Sequence, residues 1–296
     1  MPAPSPETPL IFPCAGEDLL GILHPGGPQA EKALLLVVGG PQYRVGSHRQ
    51  FVLLARHLAA AGIPVLRFDY RGMGDSGGAP RPFEVVGADI GAALDALGRA
   101  LPLVRRVVIW GLCDAASAAC LYAPQDPRVS GLVLLNPWVR TQAGEARTYL
   151  RHYYLARLRS PELWSKLFAG RFQVRRSLES LLAFLRSASG TRPADTLPGA
   201  SARGPDLAQA PAGPALPERM LLALRRFRGP ILLILSGNDL TAREFMDLAD
   251  NRADWRRWAR TAVLERRELP EADHTFSSAP WRDQVAAWTL DWLRSW

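Results

Sequence analysis

The chain has 296 residues, 48% of them apolar and 22% charged, which supports a large core and excludes global disorder. Basic residues number 36 and acidic 28, for a net charge of +8, yet nearly all the cations are arginines. They are scattered along the chain and follow no recognised motif, so no nucleic-acid partner is expected. Three cysteines, Cys14, Cys113 and Cys120, do not make a disulfide framework and suit a reducing compartment. The first ten residues lack the basic start and apolar run of a signal peptide, and no window reaches the roughly 20 apolar residues of a membrane-spanning helix. A cytoplasmic protein is expected.

Leu10–Pro13 and Leu19–His24 read as short strands of a leading hairpin. Ala33–Val38 is a continuous apolar run, as a strand buried on both faces requires, and Gly39-Gly40-Pro41 ends it. Ser47–Ala61 has helical spacing, Gly62 closes that helix, and Pro64–Phe68 is the next strand. The rhythm repeats through a helix at Val85–Ala100, a strand at Arg106–Trp110, a helix at Ala115–Tyr122 and a strand at Gly131–Leu135. Alternation of this kind implies a parallel sheet with helices on both faces. Past Pro137 it breaks. Glu145–Arg159 and Pro161–Arg186 look helical, and Ser187–Pro217 is a loop rich in Ala, Pro, Gly and Ser. Strands at Ile231–Leu235 and Thr261–Leu269 follow, with one or two helices over Ala242–Arg260 and a last helix at Pro280–Leu293. The organisation expected is an α/β core, residues 1–138 and 218–296, interrupted by a helical cap at 139–217.

The chemistry is concentrated in Trp110-Gly111-Leu112-Cys113-Asp114-Ala115-Ala116. A buried strand runs into small–x–Cys–x–small and then an alanine-rich helix. That is a nucleophile elbow with cysteine in place of serine. The flanking residues are small because bulk there would collide with the neighbouring strands. The turn aims the N–H of Asp114 and the positive end of the helix at a reacting oxygen. An acid and a histidine must follow in that order. Asp239 lies just past Ile231–Leu235, and His274 just past the last strand, both where α/β sheets gather their functional groups. Asp239 could instead cap the helix after it, a role Thr241 could also fill. Asp273 is a rival acid. The second oxyanion donor should come from the loop after Val38. Pro41 has no N–H, so Gln42 is the candidate.

These segments, with Val37–Arg49, Phe68–Ser76 and Asp273-His274-Thr275-Phe276, resemble the α/β-hydrolases of the serine-aminopeptidase-like branch. More narrowly, the chain is similar to the exosortase A system-associated hydrolases of type 1. Two departures stand out: Cys113 replaces the usual serine, and Gly39-Gly40 the usual His-Gly. The resemblance implies the α/β-hydrolase fold with a helical cap and an ester or thioester hydrolase, in a system linked to exopolysaccharide or protein sorting. It also implies a small-molecule, lipid-linked or sugar-linked acyl substrate and no metal or organic cofactor. The alternatives are an acyltransferase to a sugar or lipid hydroxyl, or a non-catalytic scaffold on the same fold.

Two strings compete with Cys113. Gly74-Asp75-Ser76-Gly77-Gly78 carries a serine in the G-x-S-x-G pattern, and Gly72–Gly77 fits a dinucleotide fingerprint. No helix can spring from either, because Ala79-Pro80-Arg81-Pro82 follows. The basic, aromatic stretch Arg147–Arg159 reads as a lid helix with its aromatics inward, or as a contact for a membrane surface or an anionic substrate.

Overall fold

The computed structural model describes residues 7–40, 42–140 and 213–296. The expected cap helices and most of the loop at 187–217 lie outside these residues. The described residues from 7 to 139 and from 216 to 296 form one compact unit built on a single sheet.

Strands β1 (Thr8–Cys14) and β2 (Glu17–His24) form the leading hairpin. They are followed by β3 (Lys32–Val37), β4 (Val65–Phe68), β5 (Arg106–Leu112), β6 (Val129–Leu135), β7 (Ile231–Ser236) and β8 (Leu264–Leu269). The strand order is β1-β2-β4-β3-β5-β6-β7-β8, parallel from β4 onward and antiparallel at the hairpin end. The C-terminal ends of β3, β5, β6, β7 and β8 therefore share one rim.

Helices α1 (Gln50–Ala60) and α7 (Ala279–Arg294) cover one face of the sheet. Helices α2 (Gly87–Ala100), α3 (Asp114–Tyr122), α4 (Leu216–Arg226), α5 (Leu240–Asn251) and α6 (Ala253–Thr261) cover the other. In β3, Leu34 and Leu36 face the first layer while Ala33, Leu35 and Val37 face the second, all fully buried. Each such leucine contributes about 1.5–3 kcal/mol relative to an exposed one. The edge strand β8 is different: its Glu265-Arg266-Arg267-Glu268 centre is charged, which discourages pairing with a further strand.

Three details depart from the sequence reading. The helix expected from Ser47 starts at Gln50; a short 3-10 turn precedes it, with His48 and Arg49 at φ 52° and 58°. Phe51 N–H bonds back to the Val45 carbonyl and closes this turn. The helix expected from Val85 starts at Gly87. Helix α4 was not anticipated, and it begins at Leu216, one residue before the expected end of the loop at Pro217. It packs Leu216, Met220, Leu221 and Leu224 inward.

Candidate active site

Cys113 sits between β5 and α3 with φ 62° and ψ −125°, a conformation a non-glycine residue rarely adopts. Its neighbours hold it there. Its N–H donates to the Leu135 carbonyl at 2.9 Å, and its carbonyl accepts from Ala116, Ser117 and Trp138 N–H groups at 3.1, 3.3 and 3.2 Å. A Cβ on Gly111 would lie 2.7 Å from the carbonyl carbon and oxygen of Ala115 and from Ala116 N. The nearest obstacle to a larger residue at 111 is therefore the backbone of the first turn of α3.

Asp239 and His274 are brought to the same rim. Asp239 both caps a helix and meets His274. Its carboxylate caps α5, accepting from Thr241 and Ala242 N–H groups at 3.2 and 2.9 Å, and its Oδ2 lies 2.9 Å from His274 Nδ1. Burial pushes its pKa up, but the hydrogen bond and charge of His274 and the two amides outweigh this and hold it below the usual value. The imidazole of His274 is raised to about 10, first by the hydrogen bond to Asp239, then by a hydrogen bond to Cys113, against the opposing effect of burial. The ring is held by Asp239 and remains about one-third exposed. Asp273, the rival acid, is used locally: it accepts from Thr275 and Ser277 N–H groups at 3.2 and 3.0 Å and from the Ser277 hydroxyl.

Asn136 was missed by the sequence reading. It is fully buried at the end of β6, with φ 43°. Its Nδ2 donates to Ser236 Oγ at 2.8 Å and to the His274 carbonyl at 3.0 Å, while its Oδ1 accepts from Ser236 N–H at 2.9 Å. It ties the tips of β6 and β7 to the histidine loop. The available signal was one amide ending an apolar strand, in Leu134-Leu135-Asn136-Pro137.

The oxyanion candidates meet the same rim. Gln42 lies in the loop after β3, its Oε1 accepting from Ser47 N–H at 3.2 Å. The Asp114 carboxylate reaches across to that loop. Both its oxygens accept from Gly40 N–H, at 2.8 and 2.9 Å, and Oδ1 also accepts from Ala115 N–H at 2.9 Å. Burial raises the pKa of Asp114, opposed by the amides of Gly40, Ala115 and Asp114 itself and by the charge of His274. Ser76 has a structural role: its hydroxyl donates to the Asp69 carbonyl at 2.6 Å and accepts from Leu20 N–H at 2.9 Å, locking the loop after β4 to β2. Cys120 is fully buried in the core, and burial pushes its thiol up to about 12.

A largely parallel sheet with helices on both faces, and functional side chains on the loops at its C-terminal rim, defines an enzyme fold of the α/β-hydrolase type. The alpha/beta hydrolase family model matches residues 34–288, and the chain belongs to that family. Solved structures similar to it include an esterase of Pyrococcus furiosus, at 16% identity and TM-score 0.63 over 98% of this chain and 91% of that one. Est1E from Butyrivibrio proteoclasticus, solved with ferulic acid bound, is 15% identical with TM-score 0.60 over 96% and 97%. A dienelactone hydrolase from Anabaena variabilis is 14% identical with TM-score 0.59 over 98% of each chain. No curated protein sequence matches significantly. Among the described residues, no helix is long and apolar enough to cross a membrane.

Proposed function

We propose that this enzyme hydrolyses an ester or thioester through a cysteine nucleophile, Cys113, with His274 as base and Asp239 as orienting acid. The observation that carries this reading is His274 Nδ1 lying 2.9 Å from Asp239 Oδ2, at the same sheet rim as the strained elbow that holds Cys113. His274 takes the thiol proton, and the thiolate attacks the acyl carbon to form a C–S bond. The carbonyl π electrons move onto oxygen, where the backbone N–H groups of Asp114 and Gln42 hold them, an effect worth about 3 kcal/mol per donor. Collapse expels the alkoxide or thiolate, which takes the proton from the imidazolium. Water then attacks the thioester with His274 as base, releasing the acid and restoring the thiol. Asp239 fixes the ring tautomer and supports the imidazolium.

The finer assignment rests on sequence resemblance. It places the acyl donor in an exopolysaccharide- or exosortase-linked system and gives residues 139–217 the role of a cap over the substrate. Within such a system the acyl group is carried on a small molecule, a lipid or a sugar.

The test is pre-steady-state. With a p-nitrophenyl ester, wild type gives a burst of nitrophenol as the acyl-enzyme forms, and Cys113→Ala gives none. An undiminished burst in that variant would reject the assignment.

A further inference from the structure

The Asp114 side chain is not accounted for by the mechanism above, which uses only its backbone. We propose that its carboxylate is a positioning residue: it clamps the loop after β3 against the elbow and thereby sets where the loop's N–H groups point. The inference rests on the cysteine-nucleophile reading and adds the element that builds its oxyanion site.

Three observations carry it. First, the bond is long-range and doubled: Gly40 N–H is held by both carboxylate oxygens from 74 residues away, whereas Ala115 N–H fixes one of those oxygens from the helix side. One side chain thus joins the loop to the first turn of α3. Second, the loop is built around that carboxylate. A Cβ on Gly39 would lie 2.1 Å from Asp114 Oδ1, 2.8 Å from the Leu112 carbonyl oxygen and 2.9 Å from Ala115 N. Only glycine allows the loop to lie this close to the elbow, and this is where the chain departs from the usual His-Gly. Third, Pro41 contributes no N–H, so the loop has fewer donors to offer and the direction of those remaining matters more.

A clamp and a merely structural residue differ in what they change. Oxyanion stabilisation is needed for attack on a carbonyl, but not for alkylation of the sulfur by iodoacetamide, which develops no charge on a carbonyl oxygen. The experiment compares wild type, Asp114→Ala and Asp114→Asn in p-nitrophenyl acetate turnover and in the rate of Cys113 alkylation. Asp114→Ala is expected to lose at least about tenfold in kcat with KM little changed, while alkylation does not fall. Asp114→Asn retains an acceptor for Gly40 N–H and should recover most of the loss. Turnover in Asp114→Ala equal to or faster than wild type would overturn the clamp, the faster case meaning that the carboxylate fills the oxyanion site rather than building it. Turnover and alkylation falling together would also overturn it, since that is general damage to the elbow. A wild type that is alkylated at Cys113 but turns over no ester would overturn the ester-hydrolase reading, and the clamp with it. One inert to both reagents would remove the nucleophile itself, and the clamp with it.

Discussion

Asp239 carries two loads at one position, and the two can be separated by charge. Its carboxylate caps α5 and also faces His274, whose pKa stands at about 10 against an ordinary 6.5. A folded-state value above the unfolded one stabilises the protein fully below pH about 6.5, and that contribution is lost as pH rises to about 10. Asparagine caps a helix about as well as aspartate, so Asp239→Asn removes the charge and keeps the cap. The stability gap between wild type and this variant, read from urea midpoints across pH, should be widest from about pH 4 to about pH 6.5, close toward pH 10 as the imidazolium is lost, and close again in acid as Asp239 is protonated. The alkaline limb of the pH–rate profile should also move to lower pH, because the imidazolium has lost its partner. A gap that widened as pH rose above about 6.5 would mean the carboxylate does not hold the imidazolium. Asn136 acts at the same scale: it holds the backbone of the histidine loop while Asp239 holds the ring.

The elbow is an element-scale device, since a strand, a turn and a helix must meet with almost no space between them. Gly111 shows how little there is, because the atoms its Cβ would meet are backbone atoms of α3 and cannot rotate away. Gly111→Val should therefore cost more than about 3 kcal/mol by urea denaturation, as expected of overpacking against rigid backbone. A cost under about 1 kcal/mol would show that the turn can open. This element was legible in the sequence because its constraint is local: small residues two positions either side of Cys113, between an apolar run and an alanine-rich helix. The strands β3, β5, β6 and β7 were legible because burial on both faces leaves an unbroken apolar run. Helix α4 was not, because its apolar positions follow directly on a stretch rich in Pro, Ala and Gly that reads as loop. The left-handed turn at His48 and Arg49 was not legible either, since the route of the chain into α1 sets those angles and neither residue type demands them.

At the scale of the whole molecule, the sheet order does the assembly. Strands β5, β7 and β8 end at one rim, so residues 113, 239 and 274, distant in the chain, are gathered there, and 239 and 274 touch. The positions of residues 113 and 239 were legible because each follows an apolar strand, and that of 274 because it follows the last, charged strand of the sheet. What the Asp114 carboxylate does could not, because its partner Gly40 comes from a different strand and only packing reveals the direction a side chain takes. Buried pairs hold the frame beneath the rim. Arg71 donates from Nε and a terminal guanidinium nitrogen to both oxygens of Asp89 at 2.8 Å, joining the loop after β4 to α2. The account depends on a thiolate made reactive by a particular imidazole. The most direct measurement is peptide mapping by mass spectrometry after a short pulse of an activated ester, on wild type and on His274→Gln. The account predicts an acyl adduct on Cys113 in wild type and its loss in the variant. An adduct on Ser76, Cys14 or Cys120, or one on Cys113 that forms equally fast without His274, would contradict it.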